Sequence, residues 1–208
     1  RSIVAQNLDG VCAPEIGDAR DYIRILDRNG FFETTILSED DQKRNEMYRA
    51  NADRKKSLHA FTDYHAYLES LQMKGTILPF DEMSLNRVAQ LSNKSNQFNL
   101  TTKRYTRDEM EVRAKDENYI TLYGKLEDKF GDNGIVSVVI GKRVKEECHI
   151  ELWIMSCRVL NRDMEYAMLD TLIETCQNKG IKKIRGFYYP TAKNAMVKDF
   201  YGKMGFSQ

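Results

Sequence analysis

The spacing of apolar residues changes partway along the chain, and this change separates a front part from the rest. Helical periodicity opens at Asp18 and stops at Asn29 and Gly30, residue types that commonly end a helix. Ser38 resembles the first residue of a capping box, which marks a helix start. The charged, proline-free sequence from Ser38 to residue 71 predicts two more helices. The first 72 residues therefore predict an all-helical appendage.

From residue 73 onward, strand-like and helix-like segments alternate. Strands are predicted at residues 73–79, 119–126, 135–140, 149–155 and 183–188. Helices are predicted at residues 84–96, from Thr106 onward, at 164–179 and at 194–203. Residues 130–134 predict a hairpin turn, and within them Asn133 and Gly134 carry the strongest signal of that kind. The predicted order is strand, two helices, three strands, helix, strand, helix.

The charge balance narrows the choice of partners. The 208 residues include 32 basic and 31 acidic side chains, which gives a formal net charge of +1. A balanced, well-mixed surface favours neither a nucleic acid nor an anionic membrane as partner. No apolar stretch approaches the roughly 20 residues that a membrane-spanning helix needs. The length fits one domain with an appendage.

Cysteine and histidine positions exclude several kinds of site. The four cysteines lie far apart without a CxxC pair, and the three histidines show no metal-ligand spacing. We therefore expect no metal site, no disulfide framework and a cytoplasmic location. Since the chain begins at Arg1 rather than Met, we also expect it to be a fragment of a longer protein.

The C-terminal segment carries a first family resemblance. Asn194 is followed seven residues later by Tyr201 and then by Gly205 and Phe206. Seven residues make about two helical turns, so Asn194 and Tyr201 are expected to share one face of the predicted helix. This pattern and the element order resemble GNAT acyltransferases. The resemblance implies an α/β (α+β) fold with a mixed, mostly antiparallel sheet flanked by helices. It also implies that acyl-CoA binds beside Asn194 and that the Tyr201 hydroxyl acts as the acid, unless both residues only pack a terminal helix.

A second resemblance covers nearly the whole chain. It rests on the strings FFETTILSEDD, NEMYRANADR, LSNKSNQFNLTTKRYT, FGDNGIVSVV, SCRVLNR and YYPTAKNAMVKDFYGKMGF. These resemble the C-terminal region of FkbH-like proteins (HAD-superfamily subfamily IIIC), which join a HAD domain to a GNAT-like domain. The resemblance implies that residues 1–72 are a HAD remnant plus a helical connector and that residues 73–208 are the GNAT-like domain.

The same resemblance implies a function and a set of partners. FkbH-like proteins load a glyceryl-type unit onto an acyl carrier protein in polyketide biosynthesis. That chemistry needs a DxDxT-type motif of the HAD domain, which this chain does not contain. The expected partners are therefore an acyl carrier protein and a HAD domain missing from this chain.

The loop before the helix at 164–179 decides whether a cofactor phosphate can bind. GNAT enzymes hold the CoA pyrophosphate on a Q/R-x-x-G-x-G/A loop, whose backbone amides and helix dipole face the anion. The equivalent segment here is Arg158, Val159, Leu160, Asn161, Arg162 and Asp163. Asn161 and Asp163 replace the two glycines, and Asp163 would repel a phosphate or instead cap the helix. Arg158 and Arg162 retain capacity for an anion such as the phosphate of phosphopantetheine.

Two further groups complete the candidate site. Glu151 occupies a strand position where GNAT enzymes often carry a carboxylate base, and alternation places it with His149 and Trp153, opposite Ile150. It is either that base or an ordinary polar-face residue. The candidate substrate-binding residues are Asn96, Gln97, Asn99, Thr101, Thr102, Lys103 and Lys193. Their amides, hydroxyls and charges could bind a polar acceptor or could cap helices and satisfy a turn.

Two hypotheses follow from these residues. In the first, the chain is an acyltransferase domain in which Tyr201 is the acid and Glu151 the base. In the second, it is a catalytically silent GNAT-like module that binds an acyl carrier protein or its phosphopantetheine arm. The replaced glycines favour the second hypothesis, and the pair of Asn194 and Tyr201 favours the first. A GNAT fold would also continue into a last strand where this sequence ends.

Overall fold

A computed structural model describes residues 14–15, 17–30, 44–95 and 97–207. The chain forms two units, Arg1–Lys43 and Arg44–Gln208. In the first unit a short 3-10 turn precedes helix α1 (Tyr22–Arg28), and the Asp18 side chain caps that turn by accepting from the Arg20 N–H. The predicted helix start at Ser38 lies outside the described residues.

The second unit opens with two helices. Helix α2 (Arg44–Leu58) is strongly charged. Helix α3 (Tyr64–Ser70) begins after Asp63, whose side chain accepts hydrogen bonds from the main-chain N–H groups of His65 and Ala66. Tyr67, Leu68 and Leu71 bury one face of α3 in a small cluster of their own.

A five-stranded sheet forms the centre of this unit. Its strands are β1 (Lys74–Pro79), β2 (Tyr119–Asp128), β3 (Gly131–Val144), β4 (Glu147–Met155) and β5 (Lys183–Arg185). They lie in the order in which they occur in the sequence. The first four are antiparallel neighbours, and β5 pairs parallel to β4 over three residues. The sheet is thus mixed and mostly antiparallel.

Helices cover both faces of the sheet. Helices α4 (Leu85–Lys94) and α5 (Arg107–Lys115) bury their apolar residues in one cluster, while α6 (Met164–Asn178) buries its own in a second. Thr106 and Glu109 form the predicted capping box of α5, and Gly180 ends α6 at a φ of 68°. The predicted order of strands and helices is confirmed in full.

Of the predicted turn at residues 130–134, only Phe130 lies in the hairpin turn, and Asn133 and Gly134 do not. The chain reverses at Lys129 and Phe130 instead, and β3 already begins at Gly131. Lys125 pairs with Ile135 and Glu127 with Asp132, so Asn133 and Gly134 face the single residue Leu126. The Asn-Gly pair therefore forms a β-bulge, where Gly134 takes a φ of 67° that glycine tolerates.

The last predicted helix is interrupted. Residues 195–197 form a 3-10 turn, and helix α7 spans only Phe200–Lys203. Asn194 stays outside both because its side chain accepts from the N–H and hydroxyl of Thr191, a bonding pattern of turns. The expectation that a continuous helix places Asn194 and Tyr201 on one face is therefore wrong.

Candidate functional site

A cationic cavity of about 800 Å³ lies beyond the carboxyl end of β4. Four of its lining residues are basic: Arg87 and Lys94 from α4, Arg158 from the loop after β4, and Lys193 from the turn before α7. No acidic side chain is found among the described residues that line it. We call this cavity the basic pocket. Because positively charged side chains line its concave wall, the basic pocket can hold an anion.

The position of Arg158 is fixed by the 3-10 turn Cys157–Val159. The Ser156 hydroxyl accepts hydrogen bonds from the main-chain N–H of Arg158 at 3.4 Å and from its Nε at 3.2 Å. The guanidinium also contacts the sulfur of Met47 on α2. Within the described part of the chain, Arg158 makes no ion pair with a carboxylate. Its charge is therefore available to a bound anion.

In the loop between β4 and α6, both main-chain polar groups of Asn161 are hydrogen-bonded to other parts of the chain. Asn161 donates its N–H to Glu165 Oε1 at 3.1 Å, and its carbonyl accepts from the Tyr64 hydroxyl at 2.7 Å. Burial raises the pKa of Glu165, although the hydrogen bond from Asn161 opposes the shift. A phosphate at this helix terminus would have to compete with the Glu165 carboxyl group for the Asn161 N–H.

The two residues that replace the loop glycines keep a glycine-like backbone. Asn161 has a φ of 61° and Asp163 a φ of 60°, in the left-handed region that Asn and Asp tolerate better than most residues. Asp163 holds the N-cap position of α6, as predicted, but its side chain makes no capping hydrogen bond. The reason is its left-handed backbone, since a capping side chain needs extended geometry. Val159 and Leu160 pack into or against the core.

Arg162 is bound to a buried carboxylate. Its Nη1 lies 3.1 Å from Asp128 Oδ2, and its Nη2 donates to the Arg158 carbonyl at 3.0 Å. Arg54 of α2 binds both oxygens of Asp128, at 2.7 and 2.8 Å. Burial would raise the pKa of Asp128, but hydrogen bonds from Arg54 and Phe130 and the charges of both arginines hold that pKa below its ordinary value. Arg162 thus anchors the loop instead of facing the basic pocket.

Glu151 lines a second, smaller cavity of about 180 Å³, which we call the Glu151 pocket. Lys103 Nζ lies 3.7 Å from one carboxylate oxygen, and the Tyr105 hydroxyl donates to the other at 3.4 Å. Burial and the negative charge of Glu151 raise the pKa of Tyr105 to about 12, so the phenol stays protonated at neutral pH. Thr101 also lines this pocket.

A β-bulge explains the orientation of Glu151. Ile140 pairs with Leu152 and Gly141 with Ile150, which leaves Glu151 as the extra residue of β4. The bulge shifts the alternation of side chains, so Ile150 shares a core cluster with Trp153, and Leu152 lies in the other. The predicted placement of Ile150 on the face opposite Trp153 is therefore wrong.

Tyr201 lies in neither pocket. It borders a third cavity at the β5 edge, with its ring 5.0 Å from that of Phe206. Its hydroxyl is buried, and burial raises the pKa of the phenol, although the main chain of Phe187 opposes the shift. The role of Tyr201 as acid stays a prediction.

Replacing Gly186 by Ala is expected to destabilise the protein by about 1–3 kcal/mol, because the new methyl group meets a rigid ring. A Cβ at this position would lie 2.3 to 2.6 Å from three ring carbons of Tyr201. Thermal unfolding measures the effect, and Gly202→Ala, which meets no atom within 4 Å, is the control. Equal melting temperatures for the two variants would contradict the packing of Tyr201 on Gly186.

The candidate substrate-binding residues are divided among three places. Gln97 and Lys193 line the basic pocket, and Lys103 and Thr101 line the Glu151 pocket. Asn99 is buried, and its Oδ1 accepts from the N–H of Thr102, which has a φ of 58°. Asn96 lies outside the described residues.

Asn194 is fully buried and fully bonded. Its Nδ2 donates to the carbonyls of Asn99 and Tyr189, at 2.9 and 3.0 Å, and its Oδ1 accepts from Thr191. The Asn194 side chain therefore joins chain segments in the core. Its predicted contact with a cofactor is untested and stays a prediction.

Sequence reasoning missed part of both pockets. Arg87 and Lys94 are seven residues apart on α4, and this spacing could have revealed a shared basic face. The contact between Tyr105 and Glu151 leaves no comparable signal, because the two residues are 46 positions apart in the sequence.

Solved structures share this architecture. An aminoglycoside 6′-N-acetyltransferase from Acinetobacter baumannii aligns with a TM-score of 0.51 and 10% identity over 65% of this chain and 92% of that chain. A GNAT-family acetyltransferase from Staphylococcus aureus aligns with a TM-score of 0.50 and 13% identity over 64% and 85%. The aminoglycoside N-acetyltransferase AAC(6′)-Iy, determined in complex with CoA, aligns with a TM-score of 0.50 and 10% identity over 65% and 90%.

The likeness at these identities concerns the fold alone. The chain has the GNAT fold, and the predicted fold class is confirmed. Neither a protein-family model nor a curated protein matches the sequence. Within the described ranges, no three His, Cys, Asp or Glu side chains are grouped to hold a metal ion. No helix in those ranges has the length and apolar character to cross a bilayer.

Proposed function

We propose that this chain is a GNAT-fold module that binds the phosphopantetheine arm of an acyl carrier protein through its phosphate, without transferring an acyl group itself. The basic pocket carries the proposal. Its volume falls within the usual range for ligand sites, and it offers four cationic side chains. Charge-assisted hydrogen bonds from Arg and Lys are the usual means of holding a phosphate.

The proposal also includes the neighbouring domain and the pathway in which the module works. The resemblance to FkbH-like proteins supports a place beside a HAD domain that loads a glyceryl-type unit onto the carrier protein, in cytoplasmic polyketide biosynthesis. The sequence-based boundary at residue 72 stays a prediction. The buried pair of Arg54 and Asp128 ties α2 to the β2–β3 hairpin, which supports a GNAT-like module that begins with α2.

An acyltransferase is the second candidate, and the surroundings of Glu151 favour it. The carboxylate is 19% exposed and lies beside Lys103 and the Tyr105 hydroxyl. In this candidate Glu151 deprotonates an acceptor, Tyr201 protonates the leaving thiolate and acyl-CoA is the donor. It requires a path from the basic pocket to the Glu151 pocket.

Titration calorimetry tests the proposal with a phosphopantetheinylated carrier protein, its apo form without the arm, and CoA. The double variant Arg158→Ala/Lys193→Ala is expected to weaken binding of the phosphopantetheinylated form at least tenfold, since each lost charged hydrogen bond costs about 1.5–3 kcal/mol. The apo carrier protein is expected to bind the unsubstituted chain as weakly as the phosphopantetheinylated form binds the double variant.

Lys74→Ala/Lys203→Ala provides the matched control, because it removes the same charge from two exposed positions outside the basic pocket. Unchanged binding by the Arg158 and Lys193 variant would refute the proposed site. Tight CoA binding together with acyl transfer that is lost in Glu151→Gln would favour the acyltransferase instead.

A further inference from the structure

Beyond His149, the edge of β4 that β5 leaves uncovered pairs with residues 98–101 of the same chain. We call these residues the inner strand. Strand β5 pairs with β4 only as far as His149. Past that point the Leu100 N–H donates to the Trp153 carbonyl at 3.2 Å, and the Met155 N–H donates to the Phe98 carbonyl at 3.1 Å. These bonds flank an antiparallel bridge between residues 99 and 154.

The opposite edge of the inner strand is bonded as well. The Tyr189 N–H donates to the Leu100 carbonyl at 2.8 Å, and Asn194 Nδ2 donates to the Asn99 carbonyl at 2.9 Å. Nearer the bulge, the Thr101 hydroxyl donates to the Glu151 carbonyl at 2.7 Å. The inner strand therefore bridges β4 and the segment that follows β5.

Side-chain packing fixes the inner strand in the core. Phe98 is 4% exposed and Leu100 is fully buried, and both belong to the cluster that contains α6. The ring of Phe98 meets that of Phe200 edge to face at 5.0 Å. Exposing these side chains would return a large apolar area to water, so burial opposes any displacement of the strand.

We propose that the inner strand is a permanent member of the sheet that seals the space between β4 and the segment after β5. Phe98 lines the basic pocket and Thr101 lines the Glu151 pocket, so the inner strand is the wall between the two. Resting on the proposed function, this inference specifies how the arm binds. The phosphate is held in the basic pocket, while the thiol end remains on the solvent side and does not reach Glu151.

Residue-resolved amide exchange tests the permanence of the strand in the ligand-free protein. The amides of Leu100, Met155 and Tyr189 are expected to exchange within tenfold of the rate of Val138 in the central strand β3. Saturation with phosphopantetheinylated carrier protein is expected to leave these rates unchanged or slower. Exchange a hundredfold faster than Val138, or acceleration by the carrier protein, would overturn the inference.

A disulfide that locks the strand provides the second test. Asn99 and Ile154 are directly opposed, so Asn99→Cys/Ile154→Cys places two thiols at a bridging distance. The oxidised form, verified by peptide mapping, is expected to bind the phosphopantetheinylated carrier protein within twofold of its reduced form. A tenfold loss on oxidation that reductant restores would show that the strand must move.

The two proposals fail in different ways. If the unsubstituted chain does not bind the phosphopantetheinylated carrier protein, the proposed function is refuted. The exchange rates of the ligand-free protein still decide whether the inner strand is permanent, because that measurement needs no ligand.

Discussion

Replacing Asp128 by Asn is expected to lower the free energy of unfolding by about 3–5 kcal/mol, because it leaves two buried arginines without their counter-charge. The side chains of Arg54 and Arg162 are 4% and 11% exposed, and that of Asp128 is fully buried. For a domain of this size, the loss corresponds to a fall in melting temperature of about 6–20 °C. Thermal unfolding monitored by circular dichroism measures it.

The pH dependence of this effect has a definite sign. The pKa of Asp128 is lowered in the folded state, so its carboxylate adds stability above its ordinary pKa of 3.8, and this stability is lost as the pH falls through the folded value. The difference in unfolding free energy between wild type and Asp128→Asn should therefore narrow as the pH falls below about 4. Asp170→Asn, at an exposed position of α6, is the control. A gap that stays constant to pH 2 would contradict this account.

Replacing Asn194 by Ala is expected to cost about 3 kcal/mol, because several buried polar groups lose their partner at once. The carbonyls of Asn99 and Tyr189 lose a donor, and the Thr191 N–H loses an acceptor. Chemical denaturation measures the loss, with Asn178→Ala at the exposed end of α6 as control. The inner strand should also exchange its amides faster in the variant.

The same substitution distinguishes two roles for Asn194. If Asn194 serves mainly to line a cofactor tunnel, Asn194→Ala should change CoA binding and leave the unfolding free energy within about 0.5 kcal/mol of wild type. That result would contradict the structural role argued from its five side-chain hydrogen bonds, two given and three accepted.

The separation of the candidate catalytic residues among different cavities argues against a single catalytic site in this structure. The GNAT resemblance assigns one reaction to Arg158, Glu151 and Tyr201, but these residues line three different cavities. A reaction that uses all three would have to draw on three cavities of this structure. Binding of an anion needs only the basic pocket, and for this reason the binding module is the better supported proposal.

The sequence alone determined the order of the elements and the fold class. Apolar periodicity placed every strand and helix from residue 73 onward within a few residues of its position, except for the shortened last strand and last helix. It succeeded because these segments bury one face each, and burial imposes a period of two or about 3.6 residues on the sequence. The capping box at Thr106 and the glycine at the end of α6 are local signals and could be read directly.

Only the tertiary structure decided how the candidate residues are grouped. One hydrogen bond that spans 95 residues joins the Asn194 side chain to the Asn99 carbonyl, and another that spans 34 residues joins Arg162 to Asp128. The bulge at Glu151 arises from pairing with β3, and the inner strand arises from pairing with β4. Such long-range hydrogen bonds leave no period in the sequence, because each polar group takes whichever partner packing brings within about 3 Å. The residue types thus predicted an anion site near Arg158, whereas packing separated it from Glu151 and Tyr201.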